Sequence, residues 1–152
     1  MTAGDDAREI VHCVGGIVTR TAPGASAGEQ LLLVRRRHPP GAGRWSLPGG
    51  RVERGEDDPT AVAREVAEET GLRVEVGPWV GTVRRPAPDG RIFDIRDHRA
   101  VPADPGADPV AGDDASDARW VDAAAYAAMD AADDLVPGLT DALAGWDALP
   151  RA

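Results

Sequence analysis

The chain has no lysine; all 17 of its basic residues are arginine. A phosphate-binding P-loop depends on a lysine, as does Schiff-base catalysis, so both are excluded. Cysteine is almost missing too. Cys13 stands alone, so no internal disulfide can form, and its place in the apolar run 10–14 predicts a buried, inert thiol. A single cysteine fits a reducing compartment. Long apolar stretches are lacking: no run approaches the ~20 residues that cross a bilayer. The first ten residues put Asp5, Asp6 and Glu9 ahead of any apolar segment, the reverse of a secretory leader. A soluble, cytoplasmic protein with no membrane partner is expected. Neither Ser46 nor Cys13 comes with a paired His–Asp pattern, so a nucleophilic triad is rejected.

What the chain has in excess is acid. It carries 26 acidic residues against 17 basic ones, a net charge of −9. A binder of polymeric nucleic acid needs a basic stripe, so that partner class is set aside. A small phosphate-rich ligand stays compatible if divalent cations stand between protein carboxylates and phosphate oxygens. The length of 152 residues suits one domain. A domain of that size can fold without disulfides or a structural metal. Residues 1–8 are expected to be loose and 9–149 to form the domain.

The β-branched stretch 9–19 reads as a strand interrupted at Gly15 and Gly16, and 30–35 as a buried central strand. The Gly/Pro-rich segment 21–28 between them predicts a hairpin turn. Residues 45–47 read as a short strand broken by Pro48, Gly49 and Gly50, with 51–57 a loop. Asp58 before Pro59 reads as a helix cap with proline at the first helical position. The helix runs over 59–70, and Gly71 stops it. Further strands are expected at 73–83, irregular at Gly77-Pro78, at 92–101 and at 119–121. The stretch 104–117 reads as a long acidic loop. Helices are expected at 123–131 and 139–149.

One segment carries the chemistry. At 100° per residue, Glu65, Glu68 and Glu69 fall within an arc of about 100° on the helix, while Val62, Ala63, Val66, Ala67 and Thr70 fall on the other side. Like charges three and four residues apart destabilise a helix by roughly 0.2–0.5 kcal/mol per pair, so something should compensate. Arg64 offsets part of this. A hard divalent cation would offset more, because carboxylate oxygens are what Mg²⁺ prefers. Three glutamates alone would equally suit a solvated acidic face. Glu56 and the glycines change the balance: Gly49 and Gly50 allow a sharp turn and close backbone approach, and Gly71 ends the helix just past Glu69.

The pattern Gly50-x5-Glu56-x7-Arg64-Glu65-Val66-x-Glu68-Glu69-x-Gly71-Leu72 resembles the complete Nudix box, with no departure. The flanks around 31–36, 44–50 and 111–121 are similar to Nudix flanks, and the resemblance covers about 11–143. It implies an α/β fold, the Nudix α/β/α sandwich with a central mixed sheet. It implies metal-dependent hydrolysis of a pyrophosphate linkage in a small nucleotide, with Mg²⁺ as cofactor and Mn²⁺ as a possible substitute. Carried onto matching positions, it makes Glu68 and Glu69 the main metal ligands and Glu65 a ligand or the base. Glu56 supports the cluster, Arg64 orients a glutamate, and the Gly49 carbonyl completes the metal shell. Many relatives use one further acid from a later loop; here that is Asp114, then Asp113, with an ordinary solvated loop as the alternative. Many relatives also form homodimers, and this chain carries no interface signal.

Arg35, Arg37 and Arg44 are candidates for substrate phosphates, against the alternative of solubility charges. Trp45 and Trp120 are expected in the core. The flanks resemble a bacterial subgroup described as ADP-ribose pyrophosphatase-like, which implies ADP-ribose or an ADP-sugar as substrate, giving AMP and a sugar phosphate. Pro88 agrees, although turn chemistry also explains it. The strand 94–99 is more charged than that subgroup's apolar strand. It is either an edge strand or part of the substrate site, where His98 could contact base or ribose; a surface histidine is the alternative. The other activities in view are a (d)NTP pyrophosphohydrolase that sanitises the nucleotide pool, and a non-catalytic nucleotide-sugar sensor.

Overall fold

A computed structural model describes residues 8–23 and 28–152. The loose N-terminus expected at 1–8 falls almost wholly outside the described residues, as does the middle of the 21–28 turn.

Among the described residues, seven strands and three helices follow one another as β1 (Ile10–Thr21), β2 (Glu29–Arg36), β3 (Trp45–Ser46), β4 (Gly49–Arg51), α1 (Asp58–Thr70), β5 (Val74–Pro86), β6 (Ile92–Pro102), β7 (Ala115–Asp122), α2 (Ala123–Ala131) and α3 (Leu139–Gly145). The sheet runs β3-β2-β1-β6-β5, with β4 paired to β1 and β7 to β2. It is mixed. β1 lies parallel to β6 over nine residue pairs, and its other partners, β2 and β4, run antiparallel to it. The expected hairpin forms, with Thr19 opposite Leu31. The parallel β1–β6 pairing joins segments some eighty residues apart, a contact no local pattern announces.

The run Leu31–Val34 is wholly buried because the sheet is covered on both sides. Leu31 and Leu33 point into a cluster with Ile17, Tyr126, Leu139 and Leu143, under α2 and α3. Leu32 points the other way, with Val14, Val18, Val62 and Val66, under α1. This is the expected sandwich. Trp45 is buried in the first cluster, and Trp120 is half-buried at the edge of the second, with Arg20 4.4 Å above its ring.

Several boundaries differ from expectation. The N-cap of α1 is Asp57, whose side chain accepts from the Thr60 N–H at 2.9 Å; Asp58 already belongs to the helix. The buried face of α1 is Ala61, Val62, Val66 and Thr70, whereas Ala67 is exposed. The Pro-Gly-Gly break does not end strand pairing, because Gly49–Arg51 re-enters as β4 against β1. Strand β7 starts within the expected acidic loop, and α3 ends at Gly145. Both Gly77-Pro78 and Gly71 behave as read: the β5 register shifts between Val76 and Trp79, and Gly71 caps α1 at φ 72°.

Candidate active site

Helix α1 presents its acids to the Gly49–Gly50 turn. Gly49 packs against β1 so closely that a Cβ there would strike the Val14 carbonyl, and one on Gly50 would overlap the Glu65 carboxylate. Only glycine lets this backbone reach the helix. The Gly49 N–H donates to Glu69 Oε2 at 3.3 Å, which ties strand to helix.

Arg64 organises the rest. Its Nε and Nη2 donate to the two Glu56 oxygens at 2.7 and 2.9 Å, a forked pair of strong bonds. Its Nη1 reaches Glu65 Oε1 at 2.9 Å and Glu68 Oε2 at 3.3 Å, and Nη2 also holds the Arg51 carbonyl at 3.0 Å. One guanidinium thus joins three box glutamates to the loop. Glu56 also accepts the Glu53 N–H at 3.0 Å, and the bond from Arg64 is the main reason its carboxyl falls to about 2.

Glu65 and Glu69 are pushed the opposite way. Burial raises both, and Glu69 reaches about 8, with the Glu65 charge adding to it. Arg64 holds Glu65 back in part, whereas against Glu69 there stand only the Gly49 N–H and the more distant charge of Arg36. Two acids that resist ionisation side by side are what a divalent cation would relieve. Carboxylate and carbonyl oxygens are the donors a hard divalent cation prefers, so the residues present fit such an ion. Among the described residues no three acidic, histidine or cysteine side chains form a finished cage.

Asp114 is exposed on the loop before β7, its Oδ1 3.7 Å from His38 Nε2, and its charge bears on both Glu65 and Glu69. That loop is docked on the end of α1, where Val110 and Gly112 donate to the Thr70 and Glu69 carbonyls at 2.9 Å each. Asp113 is exposed.

The other expected residues scatter. Arg44 is tied to Asp133 and to the Leu135 carbonyl beside α2 and α3. Arg35 donates to the Gly43 carbonyl, and Arg37 to the Ala115 carbonyl next to Asp114. His98 is no surface histidine: it is 6% exposed, under the start of α1, with Nε2 3.6 Å from Asp58 Oδ2. It pairs with Gly16, whose missing side chain leaves Val62 and Val66 in contact range, so it shares the face of the sheet covered by α1. Arg36, by contrast, was not singled out by sequence. A bulge at Arg35/Arg36 breaks strand alternation, and the Arg36 charge bears on Glu69, Cys13 and Arg85 together. Asp97 belongs to the charged strand 94–99, which is no edge strand: β6 lies between β1 and β5. Arg85 was not singled out; its signal lay in β5–β6 register, which only the folded sheet defines.

Comparison with known proteins follows the same lines. The NUDIX domain family profile matches residues 14–141. An 8-oxo-(d)GTP phosphatase of Mycolicibacterium smegmatis is 35% identical over 57% of this chain and 28% of its own length. An ADP-ribose pyrophosphatase of Methanocaldococcus jannaschii is 39% identical over 61% of this chain and 54% of its own. The chain thus spans about a quarter to a half of these two curated relatives. A MutT protein from Methanosarcina mazei Go1 has a solved structure that superposes with a TM-score of 0.72 at 26% identity, covering 92% of this chain and 94% of that one. With an intact glycine–glutamate–arginine constellation on the expected fold, the chain belongs to the Nudix domain family.

Proposed function

We propose that this protein is a metal-dependent pyrophosphohydrolase acting on a nucleoside diphosphate derivative. The observation that carries this reading is the pair Glu65–Glu69, held on one face of α1 against the glycine turn with both carboxyls raised by burial. Glu68, Glu69, Glu65 and the Gly49 carbonyl would hold Mg²⁺, or Mn²⁺ in its place. Such an ion, when bound, neutralises phosphate oxygens and makes water a better nucleophile.

The remaining work belongs to the side chains. Arg64 fixes Glu56 and so the loop, and keeps Glu65 from swinging away. Glu65 is either a ligand of the ion or the base that takes the proton from water, a term worth about 10²–10⁴ in rate. Asp114 is an auxiliary acid from the loop. Arg36, whose charge bears on Glu69, is a further candidate for balancing phosphate charge.

Two substrate classes are in view. The kinship with the M. jannaschii enzyme supports ADP-ribose or an ADP-sugar, cleaved to AMP and a sugar phosphate. The kinship with the M. smegmatis phosphatase supports a (d)NTP losing pyrophosphate, as does a 52% match over 36% of the chain to a putative 8-oxo-dGTP diphosphatase 2 of Mycobacterium tuberculosis. A sensor without turnover is disfavoured by the unbroken box. The test is incubation with Mg²⁺ and ADP-ribose, ADP-sugars, (d)NTPs and dinucleoside polyphosphates, with the products identified. Turnover is expected with at least one class, and Glu69→Gln should nearly abolish it. Nucleotide-sugar binding with no hydrolysis of any compound would favour the sensor instead.

A further inference from the structure

The face of the sheet opposite α1 is not fully covered. Where α2 and α3 stop, β1, β6 and β5 leave a strip of half-buried apolar side chains, Val11, Phe93, Ile95 and Val83, which share one face by register. At the covered end of the strip the Trp146 ring packs directly on Gly81, the residue paired with Asp97.

Asp97 is out of place in such a setting. It is 5% exposed, and its carboxylate leans over Gly15, where any Cβ would collide with Oδ1. Among the described residues nothing donates a hydrogen bond to it. Burial lifts its carboxyl to about 7, opposed only by the positive charge of Arg85. Arg85 is half-buried on the same face, and it too has no hydrogen bond or ion pair among the described residues. No ion pair forms between them, yet each feels the other's charge. A buried carboxylate and a half-buried guanidinium left without a partner are costly unless something polar reaches them.

The strip adjoins the metal-binding acids. Gly49, Gly15 and Asp97 sit side by side on β4, β1 and β6. At ~4.8 Å between neighbouring strands, the Asp97 and Gly49 backbones are about 10 Å apart, and the Asp97 carboxylate leans toward Gly49 over Gly15. A base on that carboxylate and a phosphate beyond the Gly49 carbonyl lie within the reach of one nucleotide.

We propose that Asp97 and Arg85 are the specificity residues of a base subsite that reads guanine. This rests on the nucleotide reading above and deepens it. A carboxylate only accepts, and a guanidinium only donates. Guanine offers two neighbouring donors, N1–H and the 2-amino group, beside two neighbouring acceptors, O6 and N7. Asp97 takes the donors and Arg85 the acceptors, and arginine on O6 and N7 is the commonest specific contact to this base. Adenine presents an acceptor at N1, which the carboxylate repels, and lacks O6. Trp146 and the apolar strip supply the flat walls.

The experiment is calorimetric titration of GMP and AMP into the Mg²⁺-loaded protein, its Asp97→Asn form and its Arg85→Gln form, with hydrolysis of GTP, ATP, GDP-sugars and ADP-sugars followed in parallel. Wild type should bind GMP at least tenfold more tightly than AMP, and each substitution should shrink that ratio at least fivefold. Asn keeps the shape of Asp while replacing one acceptor by a donor, and circular dichroism verifies the fold of both variants. Equal affinities in wild type, or a ratio that both variants retain, overturn the assignment. Absence of hydrolysis with every compound overturns the pyrophosphohydrolase reading alone, since GMP preference is judged by binding.

Discussion

Replacing Glu69 by glutamine should make the metal-free protein more stable while removing its activity. The carboxyl of Glu69 is raised from 4.5 to about 8, mainly by burial. Below pH 4.5 the folded and unfolded states both carry the proton, and the group contributes nothing. As the pH rises, the unfolded chain releases its proton first, so the folded state binds more protons and stability falls with pH until about 8. At 1.36 kcal/mol per pKa unit the full loss is roughly 3–5 kcal/mol. Glutamine cannot ionise, so the variant should match wild type near pH 4 and exceed it by a few kcal/mol at pH 8–9. Asp97, raised from 3.8 to about 7, gives both proteins a further decline between pH 4 and 7. The informative quantity is therefore the difference between their curves. Urea unfolding from pH 4 to 9 in chelator measures it. Excess Mg²⁺ should then reverse the order at pH 8, because an ion that binds only the folded wild type stabilises it by mass action. A difference that stays flat with pH, or Mg²⁺ that stabilises both forms equally, would refute the account of Glu69 as a buried acid awaiting a cation.

Other outcomes follow from the same contacts. Gly50→Ala places a methyl against the Glu65 carboxylate, so turnover should fall at least tenfold in a steady-state assay with the fold retained. Arg64→Lys loses the forked bond to Glu56; the stability that Glu56 contributes above pH 4.5, lost as pH falls toward 2, should shrink, and acid unfolding should begin at higher pH. An unchanged acid midpoint would count against Arg64 as the organiser of the loop. Val66→Ala opens a space in the fully buried cluster under α1 and should cost about 2–3 kcal/mol by urea denaturation. Burial pushes the Cys13 thiol up to about 11, so at pH 8 only about one molecule in a thousand is a thiolate. Alkylation should be slow until the protein unfolds, and rapid labelling of the native state would contradict this.

How far the sequence reached depended on how local each feature is. The α1 helix, its glycine stop and the grouping of Glu65, Glu68 and Glu69 follow from spacing alone, since a helix maps sequence onto a surface at a fixed angle. The cap slipped by one residue, from Asp58 to Asp57, because two adjacent aspartates before a proline offer the same local chemistry. Strand β4 was hidden by its glycines, which are punctuation in a sequence but a close backbone approach in the fold. Arg35, Arg37 and Arg44 stand as phosphate candidates on charge and position in sequence, which do not say what each side chain bonds to. In the fold Arg44 pairs with Asp133, and Arg36, beside the bulge, donates to the Pro40 carbonyl while its charge bears on Glu69.

By itself, the sequence determined the family and the box, for those rest on residue types at fixed intervals along one loop and helix. Only the tertiary structure decided which acids are hard to ionise, since burial comes from neighbours far away in the chain. It also decided that His98 lies beneath α1 and that Asp97 and Arg85 share the face of the sheet away from α1. Those placements depend on the parallel pairing of β1 with β6 and on the shifted register of β5, long-range contacts whose one-residue change would turn every side chain to the other face.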